Sequence, residues 1–255
     1  MGAAPVAGAA PIISLMPYFS FTQFHIGPIT FQTWGTLLWL AFLVGYWIFL
    51  RGAKREGVKE KEIFLLVLWV FGGALLGSRF LYFLQFSAGG FAFHGGLLGG
   101  MLAGWLYAGK NKLNFGRLAD LAAPALALGI FIGRIGCSLI NDHPGVLTDL
   151  PWAIEWPDGA LRHPVAEYLA LNALIMFFVL WRIRFFVKKR GQLFIIFLVW
   201  YNVARFFLDF TRAADTELIY YNLMISQWMS LLILAGVSAF LFYSALVKPT
   251  GIDRF

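Results

Sequence analysis

Three arginines, Arg79, Arg134 and Arg205, stand inside long apolar runs of this 255-residue chain. Inserting an arginine into hydrocarbon costs roughly 2.5–3.5 kcal/mol on insertion scales, so each calls for a reason. A guanidinium presents a planar fork of donors that matches the oxygens of a phosphate two at a time. Asp209 follows Arg205 by four residues, on nearly the same helix face, which predicts an ion pair. Neutralising a buried arginine explains Asp209 as well as a direct role does. Arg79 and Arg134 have no acid within four residues of them inside their own runs. His94 opens another apolar run, and Asp142 and His143 follow the run that carries Arg134. A histidine there could take a proton or donate a hydrogen bond to a substrate, or simply tie a helix start to a neighbouring loop. Together these types can bind a phosphate group and stabilise charge on a phosphate that departs.

The elements that must position them follow from composition. Hydrophobic residues make up 60% of the chain and charged residues 13%, and the mean hydropathy is +0.74. A soluble domain averages about 25% charged residues, so soluble, disordered and coiled-coil classes are excluded. Long apolar runs also exclude the short alternating strands of an outer-membrane barrel. The predicted fold class is an all-α polytopic membrane protein of about seven transmembrane helices. The runs are 29–50, 63–84, 94–107, 118–140, 165–181, 193–210 and 223–246. The first 28 residues, apolar but broken by Pro5, Pro11 and Pro17, are expected to lie on the membrane. No basic segment opens the chain as a signal peptide would. The expected organisation is an external segment 1–28, a transmembrane domain 29–246 with an external loop region 141–163, and a cytoplasmic tail 247–255. A single cysteine, Cys137, predicts neither a disulfide framework nor a cysteine-based metal site.

Charge orients the runs. Alternate connections and the C-terminal tail hold 15 of the 20 basic residues, among them Arg51, Lys54, Arg55, Lys110, Arg117, Lys188 and Arg190. The opposite side has only Arg162 and Arg212. The positive-inside rule puts the N-terminus outside and the C-terminus in the cytoplasm. The net charge of +7 is thus topogenic, and no nucleic-acid partner is implied. Arg79, Arg134 and Arg205 lie five or six residues before the outer ends of runs 2, 4 and 6. That places each roughly 8–9 Å below its helix end. One arginine at that depth is explained by snorkelling to the headgroups. Three at one depth point to a binding site for an anionic lipid in the outer half of the membrane. Small-xxx-small pairs (Gly73 and Gly77, Gly95 and Gly99, Gly96 and Gly100, Gly129 and Gly133) predict close helix packing around it. Pro124 predicts a kink in run 4.

Several strings in this order resemble one family. Phe93-His94-Gly95-Gly96-Leu97-Leu98-Gly99 and Gly133-Arg134-Ile135-Gly136, with Gly145 beyond, resemble motifs of the prolipoprotein diacylglyceryl transferases. So do Arg205-x-x-x-Asp209-x-x-Arg212, Gly77-Ser78-Arg79, Gly27-Pro28, His163-Pro164 with Tyr168, and Ser226-Gln227. Cys137 and Ile140 stand where the family carries asparagines, Asp142 and Asp209 where it carries glutamates, and Trp34 where it carries a tyrosine. The resemblance implies transfer of the diacylglyceryl group of phosphatidylglycerol to the lipobox cysteine of a prolipoprotein. A thioether forms and glycerol phosphate leaves, without metal or other cofactor. It implies a multi-pass protein of the bacterial cytoplasmic (inner) membrane with its active site toward the outer leaflet. Its partners would be phosphatidylglycerol, the prolipoprotein signal peptide with its lipobox cysteine, and membrane lipids.

On that resemblance the catalytic candidates are His94, Arg134, Arg205, Asp142 and Asp209, with Arg134 and Arg205 clamping phosphate and His94 as base. The lipid-binding candidates are Arg79, Arg134, Gly95, Gly96, Gly133, Gly136, Gly145, Trp34 and Gln227. Cys137 reads as a small apolar residue, because the substrate brings its own thiol. Two other functions share the arginines: an altered relative that binds anionic phospholipid without transfer, and an anion transporter. Depth argues against the transporter, whose sites lie near the midplane. Only the transferase needs a base.

Overall fold

The structure, a computed structural model, describes residues 16–85, 93–214 and 218–246; of Leu84, Gln85, Phe93 and His94 it describes the backbone alone. Seven helices alternate along the chain: α1 Thr33–Arg55, α2 Glu60–Gln85, α3 Phe93–Lys110, α4 Phe115–Ile140, α5 Val165–Ile183, α6 Gln192–Leu208 and α7 Ile225–Leu246. All but α3 are long and apolar enough to cross a membrane. For α3, the helix of the expected span 94–107, side chains are described only over residues 95–110. Residues 1–15 and the tail 247–255 lie outside the described residues.

Three short hairpins cap the bundle, and two take residues assigned from sequence to spans. β1 Gln23–Ile26 pairs with β2 Ile29–Gln32 around Gly27 at φ 59°, so the first helix starts four residues later than expected. Glycine adopts that positive φ without the Cβ penalty. β3 Ile154–Glu155 pairs with β4 Leu161–Arg162 in the loop region between α4 and α5. β5 Ile219–Tyr220 pairs with β6 Leu223–Met224, taking the first two residues of the last expected span. Around the helices Trp39, Leu76, Phe80, Phe83, Phe207 and Phe242 are exposed, as residues meeting acyl chains would be.

Packing follows the small residues. A Cβ on Gly77 would lie 2.3 Å from the Gly95 carbonyl oxygen, and one on Gly99 would lie 2.2 Å from that of Gly73. The α2 and α3 backbones therefore touch along the Gly73/Gly77 and Gly95/Gly99 seam, the close approach that small-xxx-small spacing permits. Gly96 and Gly100 sit more loosely: a Cβ on each would lie 3.3 Å from the carbonyl oxygens of Ala74 and Val70. A Cβ on Gly133 would meet nothing within 4 Å and one on Gly129 only the Ala41 carbonyl oxygen at 3.9 Å, so the fourth expected pair forms no such seam.

Two buried clusters tie the helices together. Phe49, Ala53, Ile63, Leu66, Tyr107 and Leu118 join α1 to α4 at the end where the basic loops lie. Ala123, Ala127, Met176, Leu180, Phe197 and Leu198 join α4, α5 and α6. At the basic end the buried Asp120 carboxylate accepts hydrogen bonds from the Gly191 and Phe194 amides at 2.7 and 3.0 Å. An acid on the unsatisfied amides of a helix start answers both their hydrogen bonds and the helix dipole. Arg117 donates to Glu56 at 2.6 Å, which holds the Glu56 carboxyl below its ordinary value and links the ends of α1 and α4. Pro124 is buried inside α4, which stays one helix across it.

Candidate active site

The arginines stand toward the other end of the bundle. α4 carries Arg134 two turns before its C-terminus, and α6 carries Arg205 in its last turn. Arg79 lies near the C-terminus of α2 and is exposed. α2, α4 and α6 share one direction because the helices alternate, so the three guanidiniums belong to one end. The ends of α4 and α6 are bonded to each other. The Val146 amide donates to the Thr211 carbonyl at 2.9 Å, the Ala213 amide donates to Pro144 at 3.0 Å, and Gly145 bridges to Arg212. Gly145 is squeezed there: a Cβ would lie 2.2 Å from the His163 carbonyl oxygen.

Asp209 is fully buried between two cations. Its Oδ2 lies 3.1 Å from Arg205 Nε and its Oδ1 lies 3.7 Å from Arg212 Nη1. The ion pair expected from spacing forms, and Arg212 joins it. The cluster carries one net positive charge, buried deeply enough that water screens it poorly. Arg212 was legible as a motif residue and as an external cation. Nothing in its spacing to Asp209 alone said that it would be buried.

Arg134 is half buried, and its Nη1 lies 3.9 Å from the Cys137 sulfur one turn on. The Cys137, Asp142 and His143 ligand atoms lie within 4.8 Å of one another, so the single cysteine is part of a mixed cluster that a count of cysteines misses. Asp142 Oδ1 and His143 Nδ1 are in direct hydrogen-bond contact. Asn141, at φ 46°, ends α4 in the left-handed conformation that closes many helices, and its amide donates to the Phe19 carbonyl at 2.8 Å. The turn beyond it brings Asp142 and His143 back toward Cys137. Cys137, His143, His163 and Glu167 line one pocket between α4, α5 and the loop region. Ser138 donates to Glu167. Sequence reading passed over Glu167, although an acid in the first turn of an apolar helix was a signal.

His94 lies in the first turn of α3, and its side chain is outside the described residues. Trp34 is exposed in the first turn of α1 and packs at Gly136, where a Cβ would meet its ring at 3.3 Å. Gln227 is buried; its oxygen accepts from the Met224 amide at 2.9 Å and its nitrogen donates to the Phe206 carbonyl at 3.1 Å. Gly95, Gly136 and Gly145 are spent on packing, while Gly133 faces open space one residue from Arg134. At the rim, Trp152 donates to the Tyr168 hydroxyl at 2.7 Å, and that hydroxyl lies 3.2 Å from His163 Nδ1. With its oxygen accepting from Trp152, the tyrosine is placed to donate its proton to His163, and burial holds the His163 pKa below its ordinary value.

A bundle of seven helices, six of them long and apolar enough to cross a membrane, with arginines gathered at one end defines a multi-pass membrane protein. Residues 22–243 match the family model described as prolipoprotein diacylglyceryl transferase, and the chain belongs to that family. It is 36% identical to the phosphatidylglycerol–prolipoprotein diacylglyceryl transferase of Idiomarina loihiensis, over 87% of this chain and 95% of that one. It is 36% identical to the enzyme of that name from Pasteurella multocida, over 82% and 87% of the two chains. For the Chromohalobacter salexigens enzyme of that name the identity is 35%, over 76% and 79%.

Proposed function

We propose that this chain transfers the diacylglyceryl group of phosphatidylglycerol to the lipobox cysteine thiol of a prolipoprotein signal peptide. It does so at the outer leaflet of the bacterial cytoplasmic membrane. The observation that carries this reading is the family match across residues 22–243, a stretch that includes Arg134 and Arg205. The relatives' names give the same donor and acceptor.

In this reaction a sulfur–carbon bond forms at the glyceryl carbon while the carbon–oxygen bond to phosphate breaks. The bonding electron pair leaves on the phosphate oxygen as glycerol phosphate, and the thiol proton passes to a base. A thiol with an ordinary pKa of about 8.5 needs that base, because the thiolate is the nucleophile. His94, opening α3, takes the proton in this scheme. Arg134 and Arg205 clamp the phosphate and stabilise the charge that develops on it. Asp209 is a positioning residue that fixes Arg205 and Arg212, since both its oxygens face them. Asp142 orients the glycerol hydroxyls or a base from the end of α4. Arg79 draws the anionic headgroup in, and Gly133 leaves room for the lipid beside Arg134. Gln227 acts indirectly, by tying the start of α7 to the Phe206 carbonyl of α6.

Cys137 does not serve as a covalent carrier. Attack by its sulfur would leave an alkyl thioether on the protein, and a thioether does not leave again to a second thiol. The test is transfer in vitro. Purified protein is mixed with phosphatidylglycerol and a lipobox peptide, and the peptide mass is followed. The expected result is a diacylglyceryl mass gain that is lost in Arg134→Ala and reduced in His94→Ala. No gain with any anionic lipid, while lipid still co-purifies, would leave a lipid-binding relative and overturn the transferase reading.

A further inference from the structure

We propose that Cys137, Asp142 and His143 form a binding site for one borderline divalent transition-metal ion, with Zn2+ as the best fit. Their three ligand atoms already lie within 4.8 Å of one another. Zinc bonds of about 2.3 Å to sulfur and about 2.0–2.2 Å to nitrogen or oxygen put tetrahedral ligands roughly 3.3–3.8 Å apart. Side-chain rotations that move each atom by about an ångström close the cluster. The donor set is a thiolate, a carboxylate and an imidazole. That mixture suits zinc and its neighbours, whereas calcium and magnesium take oxygen alone.

Local backbone makes the cluster. Cys137 sits in the last turn of α4, Asn141 turns the chain in a left-handed conformation, and the two residues beyond it return toward the sulfur. The Asp142–His143 contact holds both side chains at one place, and binding exchanges their hydrogen bond for two bonds to the metal. Cys137 is 7% exposed, while the Asp142 and His143 side chains are 37% and 25% exposed, so an ion has an entry path from outside.

Charge agrees. Glu167 lines the same pocket as Cys137 and His143, and Arg134 reaches the Cys137 sulfur. A thiolate and two carboxylates face one guanidinium, and a divalent ion brings that sum to zero. Binding releases the thiol proton to solvent. Three protein ligands leave a fourth position open to water.

The site shares Asp142 with the proposed transfer reaction and adjoins Arg134, so metal binding is read directly and apart from peptide transfer. The full chain, purified without a histidine tag in detergent, is titrated with Zn2+ and with Co2+. One ion per chain is expected, and bound Co2+ shows a thiolate-to-metal charge-transfer band in the near ultraviolet. Cys137→Ser abolishes that band. Cys137→Ser and His143→Ala each weaken Zn2+ binding by roughly tenfold or more, since loss of mere outer-shell partners already costs 10–100-fold. His25→Ala, a histidine of β1 that is not among the three ligands, leaves binding unchanged. The unmodified protein gives a second readout: with one cysteine in the chain, Zn2+ protection of Cys137 from alkylation reads directly as a single mass shift. Co2+ bound without the charge-transfer band, full alkylation in saturating Zn2+, or binding lost with His25→Ala instead would each overturn the proposal.

Discussion

In the proposed reaction Arg134 and Arg205 hold the phosphate and Asp209 positions Arg205, and each has a distinct physical signature. Arg134→Lys keeps the charge and loses the bidentate fork. Transfer is expected to fall by roughly tenfold to a hundredfold, the worth of about 1.5–3 kcal/mol for hydrogen bonds to charged groups. A peptide-transfer assay against phosphatidylglycerol checks this, and an unchanged rate would remove Arg134 from the clamp. Breaking the Arg205–Asp209 pair is a different matter, because Asp209 is fully buried. Arg205→Ala leaves its carboxylate with Arg212 alone. It should lower stability by about 3 kcal/mol, the lower range for breaking a buried pair. Arg205→Ala combined with Asp209→Ala should cost less than the sum of the two single changes, and a double-mutant cycle in thermal melts measures the difference. Additive costs would mean that the pair is not coupled. Gly133→Ala separates binding from folding: nothing within 4 Å opposes the new Cβ, so the melting temperature holds or rises while the KM for phosphatidylglycerol increases.

At the scale of elements, the α2–α3 hairpin and the loop after α4 rest on glycines that admit no side chain. Gly77→Val would drive a branched side chain into the Gly95 carbonyl oxygen, already 2.3 Å from an ideal Cβ. The helices must separate, at a cost of about 1–3 kcal/mol. A melt in detergent checks this, with Gly72→Ala, which has open space, as the silent partner. This seam was legible from small-xxx-small spacing, since only glycine or alanine at those positions lets backbones touch. Span boundaries were less legible. Ile29–Gln32 and Leu223–Met224 are as apolar as a helix, and only their pairing with β1 and β5 assigns them to hairpins. Asp120 was not read as a fixture of the fold, because its partners, the Gly191 and Phe194 amides, lie some 70 residues away in sequence.

For the whole molecule, the loop region between α4 and α5 clamps the site end to the rest and brings a pH dependence with it. Partial burial pushes the His163 pKa down, with the Tyr168 hydroxyl 3.2 Å from its Nδ1. Its folded pKa lies below the ordinary value of 6.5, so below that pH the unfolded chain takes up the proton first. The stability due to this residue is complete above about pH 6.5 and falls as the pH drops toward the folded value. Melting temperatures measured from pH 8 to pH 5 should therefore decline on acidification, and His163→Gln should flatten that decline. An identical slope in the variant would place the acid sensitivity elsewhere.

The sequence alone determined that this is a helical membrane protein, because burying backbone groups in lipid demands long apolar helices and the composition supplies them. It also determined that cations stand near one end of three runs of common direction, since depth along a helix is arithmetic at about 1.5 Å per residue. The motif strings gave the family. Tertiary structure decided what faces what. Only folding places Arg212 on Asp209, threads Gly145 against the His163 carbonyl, and returns Asp142 and His143 to the Cys137 sulfur. Such contacts join segments whose spacing has no fixed period, so their partners are set by packing and by loop closure rather than by any local pattern.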